Sequence, residues 1–222
     1  MTRLHYFRHR FGLVVRNAPS RWRRLRTLAQ KPFGWSAIAD IFFAVLDLLG
    51  VFDLYEATTN AAFPNTRPLT GAEVRLLRPI FGDSVPYGLI RIDERAYVGP
   101  RWARFCYVSF HTINSWGPMS PPTLVHEVVH VWQYTCRGAA YIPRALYAQT
   151  TEMGYNYGGL APLRTNTCLE DFNYEQQADI IEDAFRVTNG WPAQWVPGAG
   201  AEVLPVYFAY LEEVRAGARD AG

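Results

Sequence analysis

The chain has 222 residues, 49 % hydrophobic and 15 % aromatic, which supplies enough apolar bulk for a buried core and excludes wholesale disorder. Its net charge of +2 is unevenly distributed: residues 1–31 hold eight Arg, one Lys and no acid, whereas the remainder holds 13 basic and 20 acidic groups. Electrostatic attraction to nucleic acid is therefore confined to the N-terminal segment, which carries no base-reading motif, so nucleic acid ranks last among partners.

Residues 1–34 read as a basic, partly amphipathic arm, with Leu4, Phe7, Phe11, Leu13 and Val14 interleaved with arginines. Such an arm is either solvated, covered by a protein partner, or laid on an anionic membrane surface. The segment starts with charge, but no apolar core with a small-residue cleavage site follows it. A cytoplasmic start is expected, with export independent of a signal peptide left open. Trp35 to Tyr55 is strongly apolar and close to membrane-span length, but Asp40, Asp47 and Asp53 interrupt it. Each acid would cost about 2.5–3.5 kcal/mol at a bilayer centre. A helix buried on most sides, with one wet stripe carrying Asp40 and Asp47, is the expectation. Together residues 1–55 are the candidate surface for a protein partner or a membrane.

A Pro/Asn-containing linker over Ala61 to Pro68 closes an apolar-helix unit over 35–66, and the main domain spans 67–222. Thr70 with Glu73 forms a capping-box pattern that opens a short helix ending at Gly82. Tyr87 to Asp93 and Phe105 to Phe110 have the β-branched and aromatic content of short strands. Cys106, Cys136 and Cys168 are odd in number and show no Cys-x-x-Cys or Cys–His spacing, which excludes a zinc knuckle and suggests buried reduced thiols.

Ser120-Pro121-Pro122-Thr123 breaks the chain and supplies an N-cap for a helix that runs to about Tyr134, with Gly138 as its stop. This helix carries His126-Glu127-Val128-Val129-His130. Histidines four apart stand one turn above each other, so both imidazoles reach one metal ion, with Zn²⁺ the usual guest. Glu127 between them is placed to take a proton from a zinc-bound water. Ile142 to Met153 is a further helix candidate, followed by a Gly/Tyr-rich loop over Gly154 to Pro162. Asn173 caps a helix over Tyr174 to Val187, with Gln176 completing the box, and Val203 to Val214 forms a final amphipathic helix.

A catalytic zinc needs a third protein ligand. No histidine follows His130, and the metzincin positions for Gly and His hold Gln133 and Cys136. On the next capped helix, Glu175 and Asp179 share one face. In isolation that pair reads as a solvated acidic stripe continued by Glu182 and Asp183. Beside an HExxH helix, Glu175 is favoured as the ligand, with Asp179 accepting the far N–H of a ligating histidine. His111, Tyr155, Tyr157 and Tyr174 are candidates for an oxyanion donor or substrate contact.

HExxH followed by ExxxD resembles the gluzincin zinc metallopeptidases. The resemblance implies an α+β, mainly helical, zincin-like domain with a small β-sheet, behind an N-terminal helical extension. It implies His126, His130 and Glu175 as ligands of one Zn²⁺, Glu127 as general base, Asp179 behind the ligands, and a protein or peptide substrate. The segments Arg67-Pro68-Leu69-Thr70 to Phe81-Gly82-Asp83, Leu124 to Gln133, and Glu175 to Asp179 resemble the bacterial Vgr-related family. In that family an HExxH domain is associated with contractile injection systems, which leaves open a non-catalytic interaction or assembly module on the same fold.

Overall fold

The computed structural model describes residues 3–30, 34–62, 65–96, 101, 105–139, 141–142, 144–145 and 154–217. The helix expected over Ile142 to Met153 falls largely outside them. The fold is mainly helical with one small sheet. Helices α1 (Arg3–Ala29), α2 (Trp35–Leu48) and α3 (Val51–Ala62) precede β1 (Thr66–Pro68), α4 (Gly71–Phe81), β2 (Arg91–Asp93), β3 (Tyr107–Ser109) and β4 (Thr112–Asn114). Then come α5 (Pro121–Arg137), the short α6 (Leu160–Thr165), α7 (Tyr174–Thr188) and α8 (Leu204–Ala216). Among the described residues, no helix is long and apolar enough to cross a membrane.

Local chemistry accounts for the helix ends. Thr70 and Glu73 form a reciprocal capping box on α4, and Asn173 and Gln176 do the same on α7. Ser120 Oγ accepts from the Thr123 backbone N–H at the start of α5, and Gly138, at φ 71°, ends that helix where a side chain would be strained. The strands are shorter than their composition suggests: residues 87–90 are turn and loop, and each strand has three residues. The sheet order is β1-β2-β4-β3, with β2 and β4 parallel and the other two pairs antiparallel. β3 is therefore an edge strand. The main core lies between α5, α7, α8, α4 and the sheet, and is built on Val125, Val128, Val129, Trp132, Ile180, Ile181, Tyr207 and Val214.

The N-terminal residues depart most from expectation. The apolar stretch is two helices, broken at Gly50 (φ 70°), where an added Cβ would lie 2.7 Å from Val14 Cγ1. Its acids do not form a wet stripe. Asp40, Asp47 and Asp53 are each 3 % exposed, while Phe42 is 57 %, Leu49 68 % and Leu54 56 % exposed. The basic segment is not a loose arm either. It is α1, packed on α2 and α3, and its arginines hold Asp47 and Asp53, while Asp40 is paired with Arg144. Arg21 reaches Asp53 at 2.6 Å and Asp47 at 3.3 Å, and Arg10 reaches Glu56 at 2.5 Å and Asp53 at 3.4 Å. A charge removed from water must be paired, and that requirement outweighs exposure of the apolar side.

The same network ties the helices to the sheet. Glu56 Oε1 accepts the His111 backbone N–H at 2.8 Å and the Thr112 hydroxyl at 3.1 Å. Arg10 Nη1 lies 2.9 Å from His111 Nδ1. Arg24 donates to the Thr135 carbonyl of α5 at 2.9 Å. Phe110, at the β3–β4 turn, has φ 62°, a costly conformation for a bulky residue. It is held there by stacking on Phe52 of α3 at 4.5 Å and by Tyr134 of α5 at 5.2 Å.

Two outcomes are expected. Arg10→Met leaves Glu56 buried without its cation and should cost about 3–5 kcal/mol in denaturant unfolding, a loss that exposed pairs such as Arg78–Asp83 would not produce. Burial and the neighbouring Arg10 push the His111 ring below its ordinary 6.5. Burial alone would raise Glu56, but Arg10 and His111 outweigh it and hold its carboxyl below the ordinary 4.5. The unfolded chain thus takes up the extra proton first at both groups. Stability present at neutral pH is lost as pH falls below about 6.5, and further below about 4.5. Thermal melts of wild type and His111→Asn should differ in the upper of those two windows.

Candidate metal centre and cleft

The site is built where α5 crosses α7, the most extensive helix contact among the described residues. Val125, Val128, Val129 and Trp132 turn one side of α5 into the core, and the helical period then puts His126, Glu127 and His130 toward a cleft. Asn173 fixes the start of α7, so Glu175, Asp179 and Glu182 form a stripe one turn apart against α5. All of these side chains are buried.

Three donor atoms converge. Glu175 Oε2 lies 3.5 Å from His126 Nε2 and 3.4 Å from His130 Nε2. Tetrahedral coordination at about 2.0–2.1 Å per ligand would set neighbouring donors about 3.3–3.4 Å apart, which both of these spacings match, and all three donor atoms lie within 4.8 Å of one another.

The far side of each imidazole decides its tautomer. His126 Nδ1 lies 2.8 Å from Asp179 Oδ1 and 3.3 Å from Glu182 Oε2. Asp179 in turn accepts from the Trp195 indole N–H. His130 Nδ1 lies 2.8 Å from Gln133 Oε1. The orientation of Gln133 is set by its amide N–H groups, which donate to the Tyr174 carbonyl at 2.9 Å and to Gln177 Oε1 at 3.1 Å. Both rings therefore carry hydrogen on Nδ1, which leaves Nε2, the atom facing Glu175 on each ring, as the one a metal would take.

Electrostatics follow the same pattern. Burial opposes charge on His126, but its hydrogen bonds to the Asp179, Glu175 and Glu182 carboxylates outweigh it and hold the ring well above its ordinary range. Burial would raise Glu175, yet His130 and His126 bring it far below the carboxylate norm. Without a metal, the cluster thus behaves as a cation-seeking carboxylate flanked by two imidazoles. Glu127 is raised by burial, only partly offset by the histidines, and its Oε2 has no hydrogen-bond partner among the described residues. A buried, unpartnered carboxylate oxygen beside converging ligands is costly unless a water or substrate completes it.

The cleft has a volume of about 700 Å³. One wall is the edge strand β3 with Phe105 and Cys106, and another is Val51, Phe52 and Tyr55 of α3. Tyr155 lines it opposite the histidines, its ring centroid 6.0 Å from that of His126. Burial raises the Tyr155 phenol to about 12, so it keeps its proton and can donate.

The other three candidates for an oxyanion or substrate contact lie elsewhere. His111 is tied into the Arg10–Glu56 network at the hairpin turn. Tyr157 donates to Asp183 at 2.6 Å and shares a hydrogen bond with Tyr207, inside the core. Tyr174 opens α7, its carbonyl taken by Gln133 and its ring under Arg137, and it does not line the cleft. Nor do Glu182 and Asp183 continue a solvated stripe. Glu182 backs His126 and binds Arg186, and Asp183 accepts the backbone N–H groups of Gln194 and Trp195. Gln133, Glu182 and Trp195 are parts of the centre that sequence reasoning passed over. Gln133 stands three residues beyond His130 on the same face, a local signal; Trp195 comes from a distant loop and left none. All three cysteines are half-buried.

Over 171 residues the chain is 30 % identical to the type VI secretion system spike protein VgrG2b of Pseudomonas aeruginosa, an alignment covering 69 % of this chain and 16 % of that protein. The chain thus spans a small part of that relative's length. No protein-family model matches the chain, and no solved structure matches it. Kinship with Vgr proteins therefore holds at the coarse level of a distant, partial similarity.

Replacing Gln133 with Ala removes the acceptor behind His130 while leaving His126, His130 and Glu175, the candidate ligands, in place. Its affinity for Zn²⁺, measured by competition with a chromogenic chelator, should fall by about 10–100-fold with the helical circular dichroism unchanged.

Proposed function

We propose that the chain is a zinc-dependent hydrolase of peptide bonds, with a zincin-like domain of gluzincin type. The observation that carries this reading is the convergence of His126, His130 and Glu175 donor atoms within 4.8 Å of one another, beside the unpartnered Glu127 Oε2. A Zn²⁺ ion held by His126, His130 and Glu175 would supply a Lewis acid for the scissile carbonyl and acidify an adjacent water. Glu127 takes the proton from that water and delivers it to the departing amine, a task suited to a carboxyl that burial raises above its ordinary range. Asp179 and Gln133 hold the two rings in the tautomer that presents Nε2. Tyr155 donates to the oxyanion that develops on the carbonyl. The substrate lies extended along the outer edge of β3, pairing as an added strand, with its side chains in the apolar cleft.

A second reading has its own support. The similarity to a type VI secretion spike protein favours a role within such a secretion or contractile injection system, and an assembly module would need the fold but no turnover. Metal analysis and turnover separate the two. Wild-type protein purified without chelator should carry one Zn²⁺ per chain by mass spectrometry, and His130→Ala and Glu175→Ala should lose it. Glu127→Gln should keep the metal while hydrolysis of an unfolded protein substrate drops by about 10²–10⁴-fold. Metal-loaded wild type that cleaves no more than Glu127→Gln would leave the assembly module in its place.

A further inference from the structure

Helices α2 and α3 are amphipathic with the usual polarity reversed. Their four acids, Asp40, Asp47, Asp53 and Glu56, are all buried. Their exposed stripes are Ile38, Phe42, Val45 and Leu49 on α2 (with Leu49 at its C-cap), and Val51, Leu54, Tyr55 and Thr58 on α3. Among the described residues, no exposed side chain on either helix is charged. An apolar face of this extent is expensive in water and marks a docking surface. The neighbouring α1 exposes Val15, Pro19 and Trp22 together with Arg16, Arg23 and Arg26, again on one helical stripe. The charge exposed by the three-helix unit is thus wholly cationic, because every carboxylate it owns is consumed inside by Arg10, Arg21 and Arg144.

We propose that this face docks on an anionic lipid surface. Exposed aliphatic and aromatic side chains free of carboxylates, on a unit whose packed neighbour α1 exposes Trp22 and three arginines, match the chemistry of the boundary between acyl chains and anionic headgroups. The unit lies on the bilayer without crossing it, since the buried ion pairs of α1 hold α2 and α3 in the folded protein. Val51 and Tyr55 belong both to this face and to the cleft wall, so the docked protein opens its cleft beside the headgroups. The inference does not depend on hydrolysis.

The test is co-sedimentation of the 222-residue protein with vesicles of phosphatidylcholine alone, and of phosphatidylcholine with phosphatidylglycerol in a three-to-one mixture. Wild type should sediment with the mixed vesicles and far less with phosphatidylcholine. A triple Arg16→Gln, Arg23→Gln, Arg26→Gln variant should bind the mixed vesicles about a hundredfold more weakly, about fivefold per arginine. A triple Phe42→Ser, Leu49→Ser, Leu54→Ser variant, none of whose positions lines the cleft, should lose vesicle binding while keeping its circular dichroism and unfolding midpoint. Wild type remaining in the supernatant with both vesicles would overturn the proposal, as would binding that the apolar triple leaves unchanged. Concentration-dependent self-association abolished by the apolar triple, without vesicle binding, would reassign the face to a second copy of the chain.

Discussion

Buried carboxylates organise this molecule. Asp47, Asp53 and Glu56 in the N-terminal helices, and Glu175, Asp179, Glu182 and Asp183 on α7, are all out of water, and each obliges a partner to come to it. In the first group the partners are the arginines of α1. In the second they are the two imidazoles of α5, Arg186, a tyrosine hydroxyl, an indole and two backbone amides. A buried ion pair adds little net stability compared with apolar packing, but breaking one is severe, so these networks specify which surfaces meet more than they strengthen the fold.

The two networks are connected through the hairpin. Glu56 grips the backbone N–H of His111 and the hydroxyl of Thr112, and Phe52 stacks on the strained Phe110 between them and β3. The edge strand that lines the cleft is therefore positioned partly by helices far away in sequence. The N-terminal helices are thereby part of the cleft: they supply one wall and brace another. Within the cleft, the ligand-bearing faces of α5 and α7 are held by cap chemistry at their starts and by core packing on their opposite sides. Gln133 and Asp179 then fix the rings themselves, so the imidazoles converge on Glu175.

Much of the body was legible from local signals. The two capping boxes, the Ser120 cap, the Gly138 stop and the approximate spans of α4, α5, α7 and α8 follow from short-range rules of spacing and side-chain reach. The strands were less visible. Three-residue segments such as β1 and β4 are too short to show a period, and their existence depends on pairing partners elsewhere in the chain. Within the site, His126, Glu127 and His130 stand together in the sequence, and Glu175 and Asp179 share a helix face. Choosing among tyrosines was impossible, because Tyr155, Tyr157 and Tyr174 lie on a loop and a helix start where sequence spacing does not set direction.

The sequence by itself determined the helical frame of the centre: a four-residue interval on a capped helix makes two histidines share a face wherever that helix is placed. It also determined that the N-terminal half holds arginines and acids in abundance. Tertiary structure alone decided which side of α2 and α3 faces inward. Composition suggests burying the apolar side, and in isolation those helices would do so. Once α1 packs against them, Arg10 and Arg21 satisfy the carboxylates at close range, and desolvating paired charge becomes the cheaper arrangement. The apolar stripe is left outside, where its neighbours are set by contacts that no local pattern encodes.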